Sequence, residues 1–453
     1  MTVNWQNKGQ RLINLFFTLS PLVILVILVF LYGVNVPYWD QWEFVLLLEK
    51  SYQGRFTFSD LLAQHNEHRL FISRIIMLII AHISGWNISW ELMINIILAT
   101  GIFIAITYQF KKTLQSIGSC RLDWLAAVIS LVVFSLTQWE NWLWGWQIQI
   151  FLNVFLVNVS IVFLSQENFF WLNILIAAVL TTIASYSFVN GILFWPIGLL
   201  ILSFASPNRK KMKKWLTILF WLIIGSITVC FYFNNYQLIN DQYSFWYSIT
   251  HPFSYLIYVL SYLGSPVISF NTWGAIFSGI VGISLFYYLI KLLLQKRQIR
   301  IHYLIPYIAL GFYSIGSAIF TGLGRAYFGS IQAISSRYVT FSNLLWISDI
   351  FFLYILMKYK RFPAKSIQNN SQRERKMAFS FLLVITFLIG FNSALRILKF
   401  PKQYSYLQPA REALLTGTDN NYLKRLYYSD KVVKERSEIL KELNLSVFRE
   451  NDR

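Results

Sequence analysis

Two acids lie among aromatic residues directly after the first long apolar run of the chain. In the stretch VPYWDQWEFV, residues 36–45, Asp40 lies between Trp39 and Trp42, and Glu43 follows three residues later. A carboxylate that aromatic rings partly shield from water is a stronger base, which suits general-base chemistry or metal binding. An aromatic belt at a membrane boundary, with one acid pointing to water, would give the same pattern. We favour Asp40 as the working acid and expect Glu43 to face solvent.

The segment HNEHR, residues 65–69, places two histidines, an acid and an arginine in five positions. On a helix, His65, His68 and Arg69 would share one face, and Glu67 would point roughly the opposite way. Two histidines at this spacing are a weak metal signal, so we predict no metal ion here. A face that binds a phosphate or a sugar, with Arg69 as the forked donor, fits better. A polar first turn of a helix on the membrane surface is the alternative.

Tryptophans crowd a second polar segment, TQWENWLWGWQ, at residues 137–147. The rings of Trp142 and Trp146 could pack against the apolar C–H faces of a sugar, while Glu140 and the neighbouring amides accept or donate to its hydroxyls. Tryptophan is also expected at a bilayer boundary without any ligand. The segment therefore predicts either a sugar-binding surface or an aromatic belt.

A third segment, GLGRAYFGSIQAISSRYVT at residues 322–340, carries Arg325, Arg337 and Tyr338 among small residues. Its neighbouring loops hold few cations, so these arginines need a partner. A phosphate or pyrophosphate head group would bind them through forked hydrogen bonds. Pairing with the acids of the other polar segments would also hold them and needs no ligand. We favour the ligand, because the small residues leave room for one.

The elements that must position these segments follow from the composition. The chain has 453 residues, of which 56% are hydrophobic and only 13% charged. A soluble domain cannot bury that much apolar surface, so the chain is an integral membrane protein with many spans. The net charge of +19 is explained by basic loops that set the membrane topology, and we predict no nucleic-acid partner. No Walker A, GxSxG or CxxC motif supports ATP coupling or soluble-type hydrolase chemistry.

Hydropathy and charge together predict the topology. About thirteen apolar stretches occur, and two of them, 69–84 and 253–268, suit helices that lie along the membrane. About eleven spans remain, with a range of 10 to 13, and this number places basic clusters such as 209–214 and 358–376 on the cytoplasmic side. The first stretch, 12–34, is read as a retained span. The amino terminus is then cytoplasmic, in a multi-pass, all-α protein of the plasma membrane.

This topology divides the chain into two parts. Residues 1–395 form the predicted transmembrane bundle, and residues 396–453 form a polar tail with helical patterning on the outer side. The tail resembles a lid or docking segment more than an independent domain. The predicted outer loops of the bundle are 35–88, 137–147, 234–272 and 321–338.

These features resemble the C-superfamily (GT-C) of membrane glycosyltransferases. The shared features are an Asp just outside the first span, a long first outer loop with interfacial helices, about eleven spans and a polar outer tail. The motif series WDQW…HNEHR…ENWLWGWQ…GR…SSRY…LNLSVF is more specifically similar to a bacterial group of multi-spanning proteins placed near that superfamily. The resemblance implies a GT-C-like fold and transfer of a sugar from a polyprenyl-phosphate donor to a glycan, lipid or protein acceptor at the outer face. Many members of the superfamily have two adjacent acids where this chain has DQWE. Since the second adjacent carboxylate could help to hold a metal ion, its absence here leads us to expect no cofactor.

The resemblance also implies roles for the singled-out residues. Asp40 would take the proton of the acceptor hydroxyl as it attacks the anomeric carbon, which inverts the sugar if Asp40 acts as a base. Glu67 would orient the histidines. The arginines would hold the departing lipid phosphate, the histidines would donate to phosphate or acceptor, and the tryptophan-rich loop would cradle the sugar. The predicted substrate-binding residues are His65, His68, Arg69, Glu140, Trp142, Trp146, Arg325, Arg337 and Tyr338.

The alternative function is a transporter or flippase of lipid-linked glycans without transferase chemistry. Such a protein needs polar groups distributed through several spans, including their centres. Here the ionisable residues concentrate at the predicted outer rim, and the spans carry few of them, chiefly Asp349. This distribution favours a one-sided site and hence the enzyme.

Overall fold

Long apolar helices dominate the chain, because a helix satisfies its own backbone hydrogen bonds where lipid offers no partner. The computed structural model describes residues 5–118, 122, 124–166, 170–204, 211–237, 242–295, 299–358, 368–417 and 420–449. In those ranges the only strands are β1 (Gln64–His65) and β2 (His68–Arg69). The α-helices are α1 (Trp5–Tyr32), α2 (Gln41–Tyr52), α3 (Phe58–Leu62), α4 (Phe71–Ser84), α5 (Ile88–Ser116), α6 (Leu125–Val133), α7 (Trp139–Leu143), α8 (Ile148–Leu164), α9 (Phe170–Ser185), α10 (Phe194–Phe204), α11 (Lys211–Phe233), α12 (Gln242–Thr250), α13 (Pro252–Gly264), α14 (Thr272–Gln295), α15 (Ile301–Arg325), α16 (Ser330–Ala333), α17 (Val339–Lys358), α18 (Gln368–Leu395), α19 (Lys399–Thr416), α20 (Asn420–Leu423) and α21 (Asp430–Glu442).

Eight helical stretches of the described chain are long and apolar enough to cross a membrane, and the protein is an all-α polytopic membrane protein. They are Gly9–Tyr32, Ile88–Ser116, Gly145–Leu164, Lys214–Phe233, Thr272–Gln295, Ile301–Phe328, Ser336–Lys358 and Gln372–Thr416. The predicted spans 123–137, 169–188 and 191–205 contain α6, α9 and α10, but these helices have only 9, 16 and 11 residues. A helix of that length is shorter than the roughly 30 Å hydrocarbon layer. Eleven crossings therefore stay a prediction.

Two hydrophobic cores organise the described residues. The first lies inside the bundle and is centred on α17, whose residues from Val339 to Leu356 are all buried. The second lies outside it and joins apolar side chains from residues 34–88, 144–148 and 407–448. The first polar loop and the C-terminal tail thus fold as one unit, which the sequence does not predict because nearly the whole bundle separates them along the chain.

One end of the bundle carries this second core. Arg325, the last residue of α15, pairs with Glu67 at 2.9 Å. Trp144, just before α8, donates its indole N–H to the carbonyl oxygen of Tyr38 at 3.0 Å. The segment 33–87 therefore covers the ends of several long helices, and we call this the loop end of the bundle.

Small residues bring two helices into backbone contact. A Cβ added to Gly264 in α13 would lie 1.8 Å from the carbonyl oxygen of Ala275, and one added to Gly279 in α14 would lie 2.0 Å from that of Leu260. Both distances are well inside van der Waals contact, so α13 and α14 touch along their glycines. Such contacts are typical of helix packing in membranes, where close approach replaces the hydrophobic effect.

Candidate functional site

The HNEHR segment forms a hairpin, so the prediction of a helical face was wrong. β1 and β2 pair antiparallel, with His65 directly opposite His68. The turn residue Asn66 adopts a φ of +48°, a left-handed conformation that asparagine tolerates better than most residues. Directly opposed residues of a hairpin project from the same face. The two imidazoles are therefore brought together by strand pairing and a tight turn.

Asp40 lies directly before α2 and is anchored through its neighbours. Its own side chain makes no capping hydrogen bond to the helix. The next residue, Gln41, is fully buried and donates to the carboxylate of Glu91 at 2.5 Å. Glu91 also accepts the indole N–H of Trp86 at 3.0 Å. This buried contact fixes the start of α2 against α5.

His65 lies between two carboxylates. Its Nε2 is 3.7 Å from Oδ2 of Asp40, and its Nδ1 is 3.5 Å from Oε2 of Glu43. Both separations are longer than ordinary hydrogen bonds. The ring is only 8% exposed and packs edge-on against Trp146, with ring centroids 5.1 Å apart. Asp40 is 29% exposed, so the acid is reachable from solvent while its histidine neighbour is held in place.

Glu43 contacts both His65 and the C-terminal tail, which the sequence does not predict. It is partly exposed, as expected, but one carboxylate oxygen accepts the hydroxyl of Tyr427 at 2.6 Å. Its position in the first turn of α2, three residues after Asp40, is a signal that it shares the acid's surroundings. No local signal points to Tyr427, because its contact depends on the docking of the tail.

Glu67 and Arg325 form an ion pair that ties the hairpin to α15. One Nη of Arg325 is 3.0 Å and 2.9 Å from the two carboxylate oxygens of Glu67. Burial raises the pKa of Glu67, but the charge of Arg325 and its hydrogen bond to the carboxylate outweigh burial and leave the pKa below its ordinary value. Glu67 is therefore ionised at neutral pH. The acid pairing considered as an alternative for Arg325 is present, so this arginine meets a ligand with its charge already balanced.

His68 is held neutral by its surroundings. Its ring stacks on Phe188 at 4.0 Å, and its Nδ1 is sealed from solvent with no hydrogen-bond partner in the described ranges, although an edge of the residue stays accessible. Burial lowers the pKa of His68 to about 4, with the charges of Glu67 and Arg325 acting in opposite directions. A neutral imidazole keeps one donor and one acceptor nitrogen, which suits hydrogen bonding to a hydroxyl.

Acidification from pH 7 to 4 is expected to destabilise the fold through His68. The pKa of His68 falls from 6.5 to about 4 on folding, so the unfolded chain binds more protons between these values and stability is lost as the pH falls through them. The expected loss of folding stability is about 2 kcal/mol. This is less than the full change in pKa would give, because His68 is only partly buried. Thermal unfolding in detergent at stepped pH measures it. His68→Gln should flatten the pH dependence and His82→Gln, at an exposed histidine, should not; equal slopes in all three proteins would contradict the prediction.

Arg69 does not have the predicted role of a phosphate ligand. Its guanidinium donates to three backbone carbonyls, those of Leu62 at 2.9 Å, Tyr232 at 2.7 Å and Asn234 at 2.6 Å. These bonds pin the hairpin to the end of α11. Arg69 therefore has a structural role, because the guanidinium that was predicted to bind phosphate is hydrogen-bonded to the backbone instead.

In the tryptophan-rich loop, the structure contradicts the prediction that the rings of Trp142 and Trp146 are open to a sugar. Trp142 is fully buried, stacks on Phe151 with centroids 4.7 Å apart, and donates to the carbonyl of Ser135 at 3.0 Å. Trp146 is 3% exposed and lies against His65. Neither ring offers a free face to a sugar. Both support the site from within the protein.

A second polar cluster contains Glu140, Arg337 and Tyr338. Nε of Arg337 is 3.8 Å from Glu140, and Ser335 lies 3.4 Å from both side chains. The hydroxyl of Tyr338 accepts from Gln332 at 2.6 Å. Arg337 and Glu140 are 37% and 32% exposed, so their pairing is looser and wetter than that of Glu67 with Arg325. An anion could displace Glu140 from Arg337 at modest cost.

The singled-out residues thus fall into three sets. The first, which we call the acid–histidine cluster, comprises Asp40, Glu43, His65, Glu67, His68 and Arg325. Glu140, Arg337 and Tyr338 form the second set, while Arg69, Trp142 and Trp146 serve the scaffold. In the ranges that the structure describes, no three His, Cys, Asp or Glu side chains are arranged to hold a metal ion.

The acid–histidine cluster can move a proton at the end of an apolar bundle. An accessible carboxylate such as Asp40 can accept a proton from a hydroxyl, and the neutral imidazole of His68 can orient that hydroxyl. No protein-family model, curated protein or solved structure matches this chain.

Proposed function

We propose that the protein is a membrane glycosyltransferase of GT-C type. It moves a sugar from a polyprenyl-phosphate donor to a glycan, lipid or protein acceptor at the outer face of the plasma membrane. One observation carries the proposal: Asp40, the acid in the short connection between α1 and α2, lies 3.7 Å from His65 in a cluster at the loop end of an apolar helical bundle. A lipid-linked substrate would meet the acid there without leaving the membrane.

The proposed reaction is a direct displacement. Asp40 takes the proton of the acceptor hydroxyl while its oxygen forms a bond to the anomeric carbon. The bond from that carbon to the phosphate oxygen breaks, and its electron pair leaves with the polyprenyl phosphate. The anomeric centre inverts, because the carboxylate acts as a base and forms no bond to the sugar. His68 hydrogen-bonds the acceptor as a neutral imidazole.

Arg337 is the better of the two remaining arginines for the departing phosphate. Arg325 is already neutralised by both oxygens of Glu67, whereas Arg337 lies 3.8 Å from a single oxygen of Glu140. A phosphate dianion attracts a guanidinium more strongly than one carboxylate does. Charge that develops on the leaving group is thereby stabilised at the edge of a low-dielectric site.

The flippase alternative is supported by one buried acid. Both carboxylate oxygens of Asp349, in the middle of α17, are fully enclosed and have no hydrogen-bond partner in the part of the chain that the structure describes. An acid at that depth is a common feature of ion and substrate pathways. The acid–histidine cluster, however, lies at the loop end, which favours the transferase.

The deciding experiment supplies purified protein in proteoliposomes with a panel of polyprenyl-phosphate-linked radiolabelled hexoses and an envelope glycolipid extract as acceptor. Transfer predicts a new labelled product and free polyprenyl phosphate in equal amounts. A flippase would instead move the intact donor between leaflets and make no new glycosidic bond. Translocation without any labelled product would overturn the proposal.

A further inference from the structure

The backbone at Trp39 needs outside support. Its φ of +49° lies in the left-handed region, which is sparsely populated by residues other than glycine, asparagine and aspartate. Such a conformation persists only where the surroundings hold it. The support here comes from the tail, because the N–H of Trp39 donates to the carbonyl oxygen of Leu426 at 2.7 Å. The peptide that leads into Asp40 is thus fixed by a residue from the far end of the chain.

A second contact reaches the same acid through side chains. Tyr427 donates its hydroxyl to one oxygen of Glu43 at 2.6 Å. The other oxygen of Glu43 lies 3.5 Å from Nδ1 of His65, and Nε2 of His65 lies 3.7 Å from Asp40. The four side chains form a continuous line from the tail to Asp40. Adjacent tail residues therefore hold both the backbone and the surroundings of this acid.

The tail can act as a fixed support because it is docked firmly. Leu426 is fully buried and Tyr427 is 3% exposed, and both belong to the second hydrophobic core. Further along the tail, the N–H of Ser446 donates to the carbonyl of Gly85 at 2.8 Å. Before the contact, Leu407 and Leu414 belong to the same core, so the segment is held on both sides of its contact with the acid loop.

We infer that Leu426 and Tyr427 are positioning residues for Asp40: through the Trp39 peptide and Glu43 they hold Asp40 and His65 in their working arrangement. The tail is then part of the site rather than a lid or docking segment. The inference rests on the proposed function only in taking Asp40 as the reacting acid. The contacts themselves are independent of the reaction.

The test removes one hydroxyl. Tyr427→Phe keeps the buried ring and deletes the bond to Glu43. Tyr422→Phe makes the same change in the same tail segment, where the ring lies under Arg425 at 4.4 Å, and serves as the matched control. Hydrogen exchange of residues 38–44 in the purified protein should quicken about 3- to 10-fold in Tyr427→Phe, as expected for the loss of one hydrogen bond. The control should exchange as the wild type does.

A kinetic readout separates positioning from general stability. With a polyprenyl-phosphate-linked hexose that the wild type transfers, Tyr427→Phe should lower kcat about 3- to 10-fold and leave KM unchanged, because substrate binding does not use the tail. Glu43→Gln combined with Tyr427→Phe should cost less than the sum of the two single changes.

Two results would count against different claims. Wild-type exchange at 38–44 in Tyr427→Phe would overturn the positioning inference, whether or not transfer is observed. Faster exchange in Tyr427→Phe together with full transfer by Asp40→Asn would leave the positioning intact and remove Asp40 from the proposed reaction.

Discussion

Replacing Asp40 with asparagine is expected to abolish glycosyl transfer while leaving membrane insertion and folding intact. The amide has the shape of the carboxylate but cannot take the proton of an acceptor hydroxyl. Loss of a general base costs at least about 100-fold in rate. Folding should be spared, because Asp40 is 29% exposed and its side chain makes no capping bond to α2. Product formation in proteoliposomes and the unfolding midpoint in detergent measure the two effects.

Glu49→Gln is the matched control for this change. Glu49 lies in α2, which Asp40 directly precedes, and accepts a hydrogen bond from Gln53 at 3.2 Å, so the variant loses the same charge away from the site. It should transfer sugar as the wild type does. Full activity in Asp40→Asn would identify another group as the base and would contradict the mechanism proposed above.

A single methyl group at Gly279 is expected to destabilise the bundle by about 2 kcal/mol or more. The added Cβ would lie 2.0 Å from the carbonyl oxygen of Leu260, and backbone cannot move aside as a side chain can. Overpacking of this kind typically costs about 1–3 kcal/mol. In an open helix the same substitution would stabilise by about 1 kcal/mol, so the expected sign is reversed. Gly264→Ala should behave similarly.

The matched control for the helix crossing is Gly9→Ala. Gly9 lies in α1, where an added Cβ meets nothing within 4 Å, so this variant should be neutral or slightly more stable. Thermal unfolding midpoints and the yield of monodisperse protein in detergent provide the comparison. A Gly279→Ala variant as stable as Gly9→Ala would show that α13 and α14 do not meet along their glycines.

Hydropathy predicts the helices well because lipid imposes one requirement on every span. A segment such as α14 must satisfy all its backbone hydrogen bonds internally, and an apolar run of that length can do so only as a helix. Hydropathy predicts the lengths of helices poorly where neighbouring parts of the protein bury the chain. α6 ends at Val133 and is followed by the 3-10 helix Leu136–Gln138 and then α7, in a stretch whose residues 135–138 are all buried inside the protein.

The residues of the site could be predicted by type but not by geometry. The acids and histidines of the first polar loop do gather, as expected from their place after α1. The helix expected for HNEHR is absent because of one residue. Asn66 adopts a left-handed turn, so His65 and His68 pair across two strands instead of lying on one helical face. The sugar-binding role of Trp142 failed because indole rings suit a buried core as well as a ligand surface.

Pairings across long stretches of chain were beyond the sequence. Arg325 can find a phosphate or an acid, and only the folded chain places Glu67 within 2.9 Å of it. Arg69 could serve a ligand or the backbone, and the carbonyls that it binds come from the end of α11. A charge pattern predicts that such residues need partners, while the packing of the helices decides which partner each one meets.

The bond between Glu43 and Tyr427 joins residues 384 positions apart, and this separation has a consequence for biogenesis. A ribosome delivers Asp40 shortly after the first membrane span, and Leu426 only after the last one. Throughout synthesis the Trp39 peptide lacks its partner, and the apolar residues around Trp42 and Leu48, which belong to the second core, have no tail to cover them. The nascent chain therefore needs protection from aggregation at that loop until translation ends. Polypeptides cut short before residue 426 would insert their spans yet remain inert and open to proteolysis.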